Sequence, residues 1–364
     1  MDELRVMYRD REVGRLRNDS GRILFAYSNE WFADGFSISP RSLPLDRRAF
    51  VPSDRFDGLF GVFADSLPDG WGTYTAIRAL RKKGLSYLSL DPLERLSLIG
   101  DDGLGALRYL PPSEGWGTPD ERDLDTVCRE CMSLIDEEKD VDLDDIFRRA
   151  GSTGGARPKA NHIIDGKEWI VKFRERNDPE WIGRMEFEYN QAAKECGITV
   201  PESRLMPSEL CEGYFASRRF DRCNGERVHM ITLGGLLEVP RDMPLLDYLS
   251  FLQATDFITK SQEEVVKAFR LACFNILSRN MDDHSKNFAY LYSEEYGGYV
   301  LSPAYDLTRT FNQKEHEMTC MGEGDPDKND LLALADKVRI PKRTAAEIIE
   351  MTENTVKDRL SEWL

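Results

Sequence analysis

No stretch of about 18 or more consecutive apolar residues occurs in this sequence, so nothing in it reads as a membrane-spanning helix. The opening residues, MDELRVMYRDREVGRLRND, are charged throughout and lack the apolar core of a signal peptide. From these two absences we expect a cytoplasmic protein with no membrane partner. Positive charge is also in deficit. Lysine and arginine total 49 against 65 aspartates and glutamates, a formal net charge of −16. A nucleic-acid backbone is gripped by a Lys/Arg surface, so direct binding to DNA is not expected, and only an indirect route through a basic partner stays open. Cysteines are few and odd in number, seven in all, which suits free thiols in a reducing compartment. Cys128 and Cys131 have CxxC spacing, but no second pair and no nearby histidine supplies the four ligands of structural zinc. Within DLDTVCRECMSLIDEE they read as ordinary helix residues. Internal repeats and low-complexity tracts are missing, and so are the phosphate-loop pattern GxxxxGK(S/T) and the dinucleotide pattern GxGxxG.

What is present suffices for two or three compact units, since the chain has 364 residues with 41% hydrophobic, 10% aromatic and 31% charged side chains. Residues 1–110 begin with strand-like runs (LRVMY, Glu12–Leu16, ILFAYS) between Gly/Asn/Asp turns. An apolar run and a helix that Gly84 ends follow, and LSLIGDDGLGALRYL closes the region with a turn and a short strand. Residues 111–139 hold a Pro/Gly-rich linker, PPSEGWGTPDERD, and a helix. Residues 140–238 start with the helix VDLDDIFRRA and the glycine-rich GSTGGARPKA, then two strand pieces, NHIID and EWIVKF, about Gly166. GRMEFEYNQAAKECG reads as a helix that Gly197 ends, and ITVPESRLMPS and YFASRRFDR read as strands. Residues 239–364 are mainly helical. There QEEVVKAFRLACFNILSRN places Val265, Val266, Phe269, Ala272, Cys273 and Ile276 at helical spacing. A β-rich part followed by a helix-rich part is the layout of a two-lobed phosphotransferase of the α+β class.

The stretch MDDHSKNF after that long helix carries the sharpest chemistry. Asp282 and Asn287 are four residues apart, the D-x-x-x-x-N spacing of a kinase catalytic loop, in which Asp accepts or orients the hydroxyl proton and the Asn oxygen helps hold Mg²⁺. Asp306, in LSPAYDLT at the end of an expected strand, stands where kinases place their main metal-binding Asp. Mg²⁺ prefers oxygen ligands and keeps places for phosphates and water, so one Asn and one Asp suit it. Asp and Asn are also common turn residues, and D-x-x-x-x-N by itself arises often by chance.

Lys172 is the second element. In EWIVKF, Trp169, Val171 and Phe173 share one strand face, and Ile170 and Lys172 the other. A charge in so apolar a strand is costly to bury without a partner. A kinase strand lysine contacts ATP phosphates and pairs with a helix glutamate, for which Glu186 and Glu188 are the candidates; an edge lysine reaching water is the plainer alternative. In GSTGGARPKA, Gly154 and Gly155 permit close backbone approach to phosphate and Lys159 adds charge, although such a pattern is more often a flexible loop. Ser152 and Thr153 are candidate phosphorylation sites within it. His284 and Lys286 fall inside the catalytic-loop stretch. The histidine is read as a loop support or a packed structural residue, the lysine as a γ-phosphate contact or a solvated side chain. Asp283 is read as a turn or cap residue.

At these residues the sequence resembles the HipA family of bacterial Ser/Thr protein kinases, the toxin half of HipA–HipB toxin–antitoxin pairs. The ordered blocks FADSLPDGWG, LIGDDGLGAL, GSTGGARPKA, IVKF, EFEYNQAAKECGITVPES, RRFDR, NMDDHSKNF and LSPAYDLT carry the resemblance over roughly residues 55–310. It implies a protein-kinase-like fold with an extra N-terminal subdomain, ATP and Mg²⁺ as cofactors, and a protein substrate, of which aminoacyl-tRNA synthetases are the family's best-known examples. It also implies a HipB-like helix-turn-helix antitoxin. By the same resemblance Asp282 is the catalytic Asp, Asn287 and Asp306 are the Mg²⁺ ligands, Lys172 is the ATP lysine, and Glu186 is its helix partner. Ser152 falls where the family has an autophosphorylated serine whose modification ejects the loop. Arg219 and Asp221 in RRFDR match a family block read as structural. The chain is shorter than typical members and its loop lacks their usual Gln, which leaves Ser152 and Thr153 both open as the modified residue. A small-molecule kinase, a partner-binding co-repressor and a metal hydrolase built on Asp282, Asp283 and His284 are the competing readings, and the last leaves Lys172 and the glycine-rich loop unexplained.

Overall fold

The computed structural model describes the chain except residues 102, 114–121, 137–140, 152–153, 224 and 244–245. Two compact units result, one of Met1–Gly183 with Arg204–Ile231 and one of Arg184–Ser203 with Thr232–Leu364.

The first unit opens with β1 (Glu3–Tyr8), β2 (Arg11–Asp19) and β3 (Arg22–Tyr27), which join β4 (Leu107–Leu110) in an antiparallel sheet ordered β3-β2-β1-β4. Ser20 and Gly21 both have positive φ, +55° and +89°. That is the two-residue turn whose twist matches paired strands, and it sets Asp19 opposite Arg22. Period-two alternation buries Leu4, Val6, Leu16, Ile23, Phe25 and Tyr27. Between β3 and β4 run α1 (Asn29–Asp34), α2 (Gly61–Ala64), α3 (Gly70–Lys82) and α4 (Pro92–Ile99). Helix α4 begins with a capping box in which Asp91 accepts from the Glu94 N–H and the Glu94 side chain accepts from the Asp91 N–H.

Further on come α5 (Leu124–Ile135), α6 (Leu143–Ala150) and a second antiparallel sheet of β5 (Lys159–Ile164), β6 (Lys167–Lys172), β7 (Ser203–Met206) and β8 (Tyr214–Arg218), ordered β5-β6-β8-β7. One core holds Val127, Cys128 and Cys131 of α5 with Trp169 and Val171 of β6 and Tyr214 of β8. The CxxC cysteines are thus packed thiols, each pushed above its ordinary pKa chiefly by burial. After β8, Asp221 is enclosed by cations just before the short ladder of β9 (Arg222–Cys223) and β10 (Glu226–Arg227). Its carboxylate accepts from Arg219 at 2.7 and 3.0 Å, from Arg222 at 2.8 Å and from the Gly105 N–H at 2.8 Å. Arg219 and Arg222 also donate to the Gly103 carbonyl. This network ties the loop before β4 to the end of the second sheet, a structural role for RRFDR.

The second unit takes up α7 (Ile182–Glu195) from Arg184 onward, and the chain returns to it at Thr232, the last residue of β11 (Met230–Thr232). Then follow α8 (Leu233–Leu237), α9 (Tyr248–Thr259) and α10 (Gln262–Leu277). Val265, Phe269, Ala272 and Ile276 of α10 recur every three or four residues and are buried. Each large side chain so enclosed contributes about 1.5–3 kcal/mol. The hairpin β12 (Ala289–Ser293) and β13 (Gly298–Leu301) comes next, then α11 (Lys328–Lys337) and α12 (Lys342–Leu360), which packs on α10. No helix among the described residues is long and apolar enough to cross a membrane.

Candidate active site

Each unit carries one set of the expected residues. In the first unit, Lys172 ends β6 and is half-buried, while its neighbours Val171 and Phe173 on the opposite face are enclosed. Its ammonium stands 5.7 Å from the ring centroid of Phe215. Across the antiparallel ladder its direct partner is Lys159. Lys159 was expected in the loop; it is instead the first residue of β5 and is buried. Directly opposed residues of such a pair rise from the same sheet face, where like charges destabilise one another. Two lysines in that register suit an anion. The Lys159 ammonium donates to the Gly154 carbonyl. Gly155 has φ +85°, a left-handed conformation that favours glycine. Its N–H donates to Asp69 Oδ1 at 2.7 Å, and its carbonyl accepts from the Trp71 N–H at 3.0 Å. Ser152 and Thr153 lie outside the described residues.

The second unit holds Glu186 and the catalytic-loop stretch. Glu186 is buried on α7. Glu188, two residues on, accepts from Arg184 at 3.1 Å and from the Trp363 indole N–H at 2.7 Å. Helix α10 stops at Ser278, and Arg279 turns left-handed with φ +57°. The chain then enters the loop through Asn280, whose buried side-chain amide donates to Asn275 Oδ1 at 3.0 Å. Asp282 follows with its N–H on Thr310 Oγ1 at 3.1 Å and its side chain 43% exposed, open enough to meet a substrate. The next residue points the other way. Asp283 is buried and accepts from Tyr248 Oη at 2.5 Å, from His316 Nδ1 at 2.7 Å and from the backbone N–H groups of Glu317 at 2.9 Å and Met318 at 3.4 Å. His284 caps the 3₁₀ turn Ser285–Asn287, its Nδ1 accepting from the Lys286 N–H at 3.2 Å. That bond assigns the ring proton to Nε2, which lies 3.9 Å from Asp282 Oδ1. The Lys286 carbonyl accepts from Tyr305 Oη at 2.5 Å.

Asn287 Nδ2 donates to the Asp282 carbonyl at 2.7 Å, so its Oδ1 is the acceptor that remains for a ligand. Asp306 was expected at the end of a strand, but β13 stops at Leu301 and Asp306 sits in irregular chain with φ +54°. Pro303 has no N–H to extend the ladder, and Asp tolerates the left-handed region. Partial burial lifts the Asp282 carboxyl above its ordinary value; Arg241, at 3.4 Å, opposes that shift, and Asp306, Glu317 and Asp283 add to it. This excess of negative charge, with the oxygen donors of Asn287 and Asp306, fits a hard divalent cation. No cluster of three or more His, Cys, Asp or Glu metal ligands occurs among the described residues. A hard cation of that kind can be held by as few as one or two protein carboxyl groups when other oxygen ligands complete its shell. Sequence reasoning missed Asn280, Tyr248, Thr310, His316 and Arg241. Asn280 alone carried a signal, as a polar residue bordering the motif.

Comparison with known proteins adds the following. A family model described as the HipA-like C-terminal domain matches residues 151–360, and one described as the HipA N-terminal domain matches residues 4–110. "Putative kinase Y4mE" of Sinorhizobium fredii (strain NBRC 101917 / NGR234) is 26% identical over 343 residues, covering 84% of this chain and 77% of that protein. A solved structure of the Shewanella oneidensis MR-1 toxin–antitoxin system, HipA with HipB and operator DNA, aligns with a TM-score of 0.74 at 20% identity. It covers 99% of this chain and 90% of its own. At that identity the likeness establishes the fold alone, an α+β fold shared with HipA.

Proposed function

The chain belongs to the HipA-like family, and from that premise we propose that it is an ATP-dependent kinase that phosphorylates serine or threonine of a protein target. The observation carrying this reading is the loop after α10, where Asp282 stands half exposed between Arg241 and His284 while Asn287 is pinned to the same loop through its amide nitrogen.

Asp282 orients the acceptor hydroxyl and takes its proton as the phosphoryl group leaves ATP. Lys172 and Lys159, opposed on one sheet face, offset the phosphates' charge, and the glycine-rich loop supplies backbone N–H groups. Mg²⁺ held by Asn287 and Asp306 would neutralise charge on the phosphates. Glu186 is the helix residue proposed to pair with Lys172, and His284 and Lys286 support the loop. Catalysis on this plan is mostly positioning and charge neutralisation. Ser152 and Thr153 are the proposed autophosphorylation sites. Family membership also supports a HipB-like helix-turn-helix antitoxin, with DNA reached only through it. An acidic kinase of net charge −16 can meet such a basic protein electrostatically.

Calorimetric titration with Mg·ATP beside phosphotransfer assays tests the roles. Asp282→Ala should keep ATP binding and lose transfer, whereas Asp306→Ala should weaken Mg·ATP binding itself. Near-normal turnover in Asp282→Ala would overturn the assignment.

A further inference from the structure

The N-terminal end of α3 and the glycine-rich loop hold each other by a reciprocal pair of hydrogen bonds. The Gly155 N–H donates to Asp69 Oδ1 at 2.7 Å, and the Trp71 N–H donates back to the Gly155 carbonyl at 3.0 Å. Asp69 is the N-cap residue of α3, where a carboxylate ordinarily accepts from the first turn of its own helix. It makes no such bond here, and its Oδ1 reaches a residue 86 positions away.

Two glycines shape the seat. A Cβ on Gly70 would lie 2.4 Å from the Gly155 carbonyl oxygen, and one on Gly72 would lie 2.7 Å from the Gly151 oxygen. Only residues without side chains admit the loop this closely. From β5, Lys159 grips the neighbouring Gly154 carbonyl. The polar backbone of Gly155 is thus engaged on both sides within the first unit.

A backbone N–H serves one strong acceptor at a time. Carboxylate and phosphate are both anionic oxygen acceptors that form charge-assisted bonds to such a donor. We propose that Asp69 is a latch. Its carboxylate occupies the Gly155 amide that a nucleotide phosphate would take, so the N-terminal region holds down the affinity for ATP. This rests on the reading of residues 154–159 as the phosphate-binding loop. A nucleotide must displace the carboxylate, and apparent affinity is the intrinsic affinity multiplied by the fraction of molecules that are unlatched.

The test uses the full chain as wild type, Asp69→Ala, Asp69→Asn and Gly72→Ala, with folding of each verified by its melting curve. Hydrogen exchange of the amides of residues 154–157 reports the latch without nucleotide, and titration with Mg·ATP reports the competition. Asp69→Ala removes the acceptor, and Gly72→Ala crowds the loop off its seat by an independent route. Both should speed exchange and tighten Mg·ATP binding by roughly threefold or more, with kcat at saturating ATP unchanged. Asp69→Asn, which keeps an oxygen but not the charge, should fall between. Unchanged exchange overturns the latch. Faster exchange with unchanged or weaker ATP binding overturns the competition and makes the seat a support for the loop. A wild type that binds no Mg·ATP overturns the phosphate-loop reading and the competition with it. Normal binding and Asp282-dependent transfer, with no response to either latch variant, sink the latch alone.

Discussion

Asp283→Ala would remove from the interior of the second unit the acceptor on which four donors converge. Tyr248 Oη, His316 Nδ1 and the Glu317 N–H stand within 2.9 Å of its carboxylate, and the Met318 N–H at 3.4 Å. Each buried donor left without a partner costs about 1–3 kcal/mol. Asn275 Nδ2 donates to the Tyr248 hydroxyl oxygen at 3.2 Å, so that neighbouring nitrogen cannot accept the hydroxyl proton in place of Asp283. The longest contact is weak, and water entering the vacated space would recover part of the loss. A net loss of about 3–5 kcal/mol follows, carried mainly by the three shorter bonds. Urea denaturation should show this as a lower midpoint with little change in slope. Asp283→Asn keeps the shape and one oxygen acceptor, and should lose less. Because Asp283 fixes the backbone beside Asp282, transfer activity should fall in both even where the protein stays folded. A loss below about 1 kcal/mol for Asp283→Ala would refute the reasoning, since it would mean the converging donors find other partners at no cost.

Two further predictions concern pH. Burial alone would raise the Asp221 pKa, but Arg219, Arg222 and the Gly105 N–H outweigh it and hold the carboxyl well below the ordinary range. Its contribution to stability is present above the unfolded carboxylate value of about 3.9 and is lost as pH falls through the folded value. Asp221→Asn should therefore be destabilised at neutral pH, with the gap from wild type narrowing below about pH 4, as read by denaturation at both conditions. For Asp282 the shift is upward, so its basic form and the activity that needs it should disappear, as pH falls, earlier than for an ordinary aspartate. Arg241→Ala removes the cation that opposes this shift and should move the acid limb of the kcat/KM profile to higher pH. Both side chains are more than a third exposed, so added salt should shrink the difference. An acid limb that does not move would remove Arg241 from the account.

Periodicity made much of the fold readable from residues alone. Strand β6 follows from the alternation of Trp169, Val171 and Phe173, and the turn before it from Gly166. Helix α10 follows from Val265, Phe269, Ala272 and Ile276, because a buried stripe at that spacing has no other regular solution. Features set by distant partners were not readable. Lys159 follows a glycine-rich run and Pro158, which hid its place as the first residue of β5 opposite Lys172. Asp306 was assigned to a strand end because YVLSP looks extended, whereas the ladder closes at Leu301. The support of Asp283 by Tyr248 and His316 spans 35 and 33 positions, and no local pattern marks residues so far apart as neighbours. The same holds for Asp69 and Gly155.

The most direct test of the central claim is transfer of label from γ-labelled ATP with Mg²⁺, to the protein itself and to proteins of a bacterial lysate, by the wild type and by Asp282→Ala. The account predicts label on a serine or threonine with the wild type, on a lysate protein or on Ser152 or Thr153, and none with Asp282→Ala. Equal labelling by the two proteins, or no labelled protein despite measurable ATP binding, would contradict it.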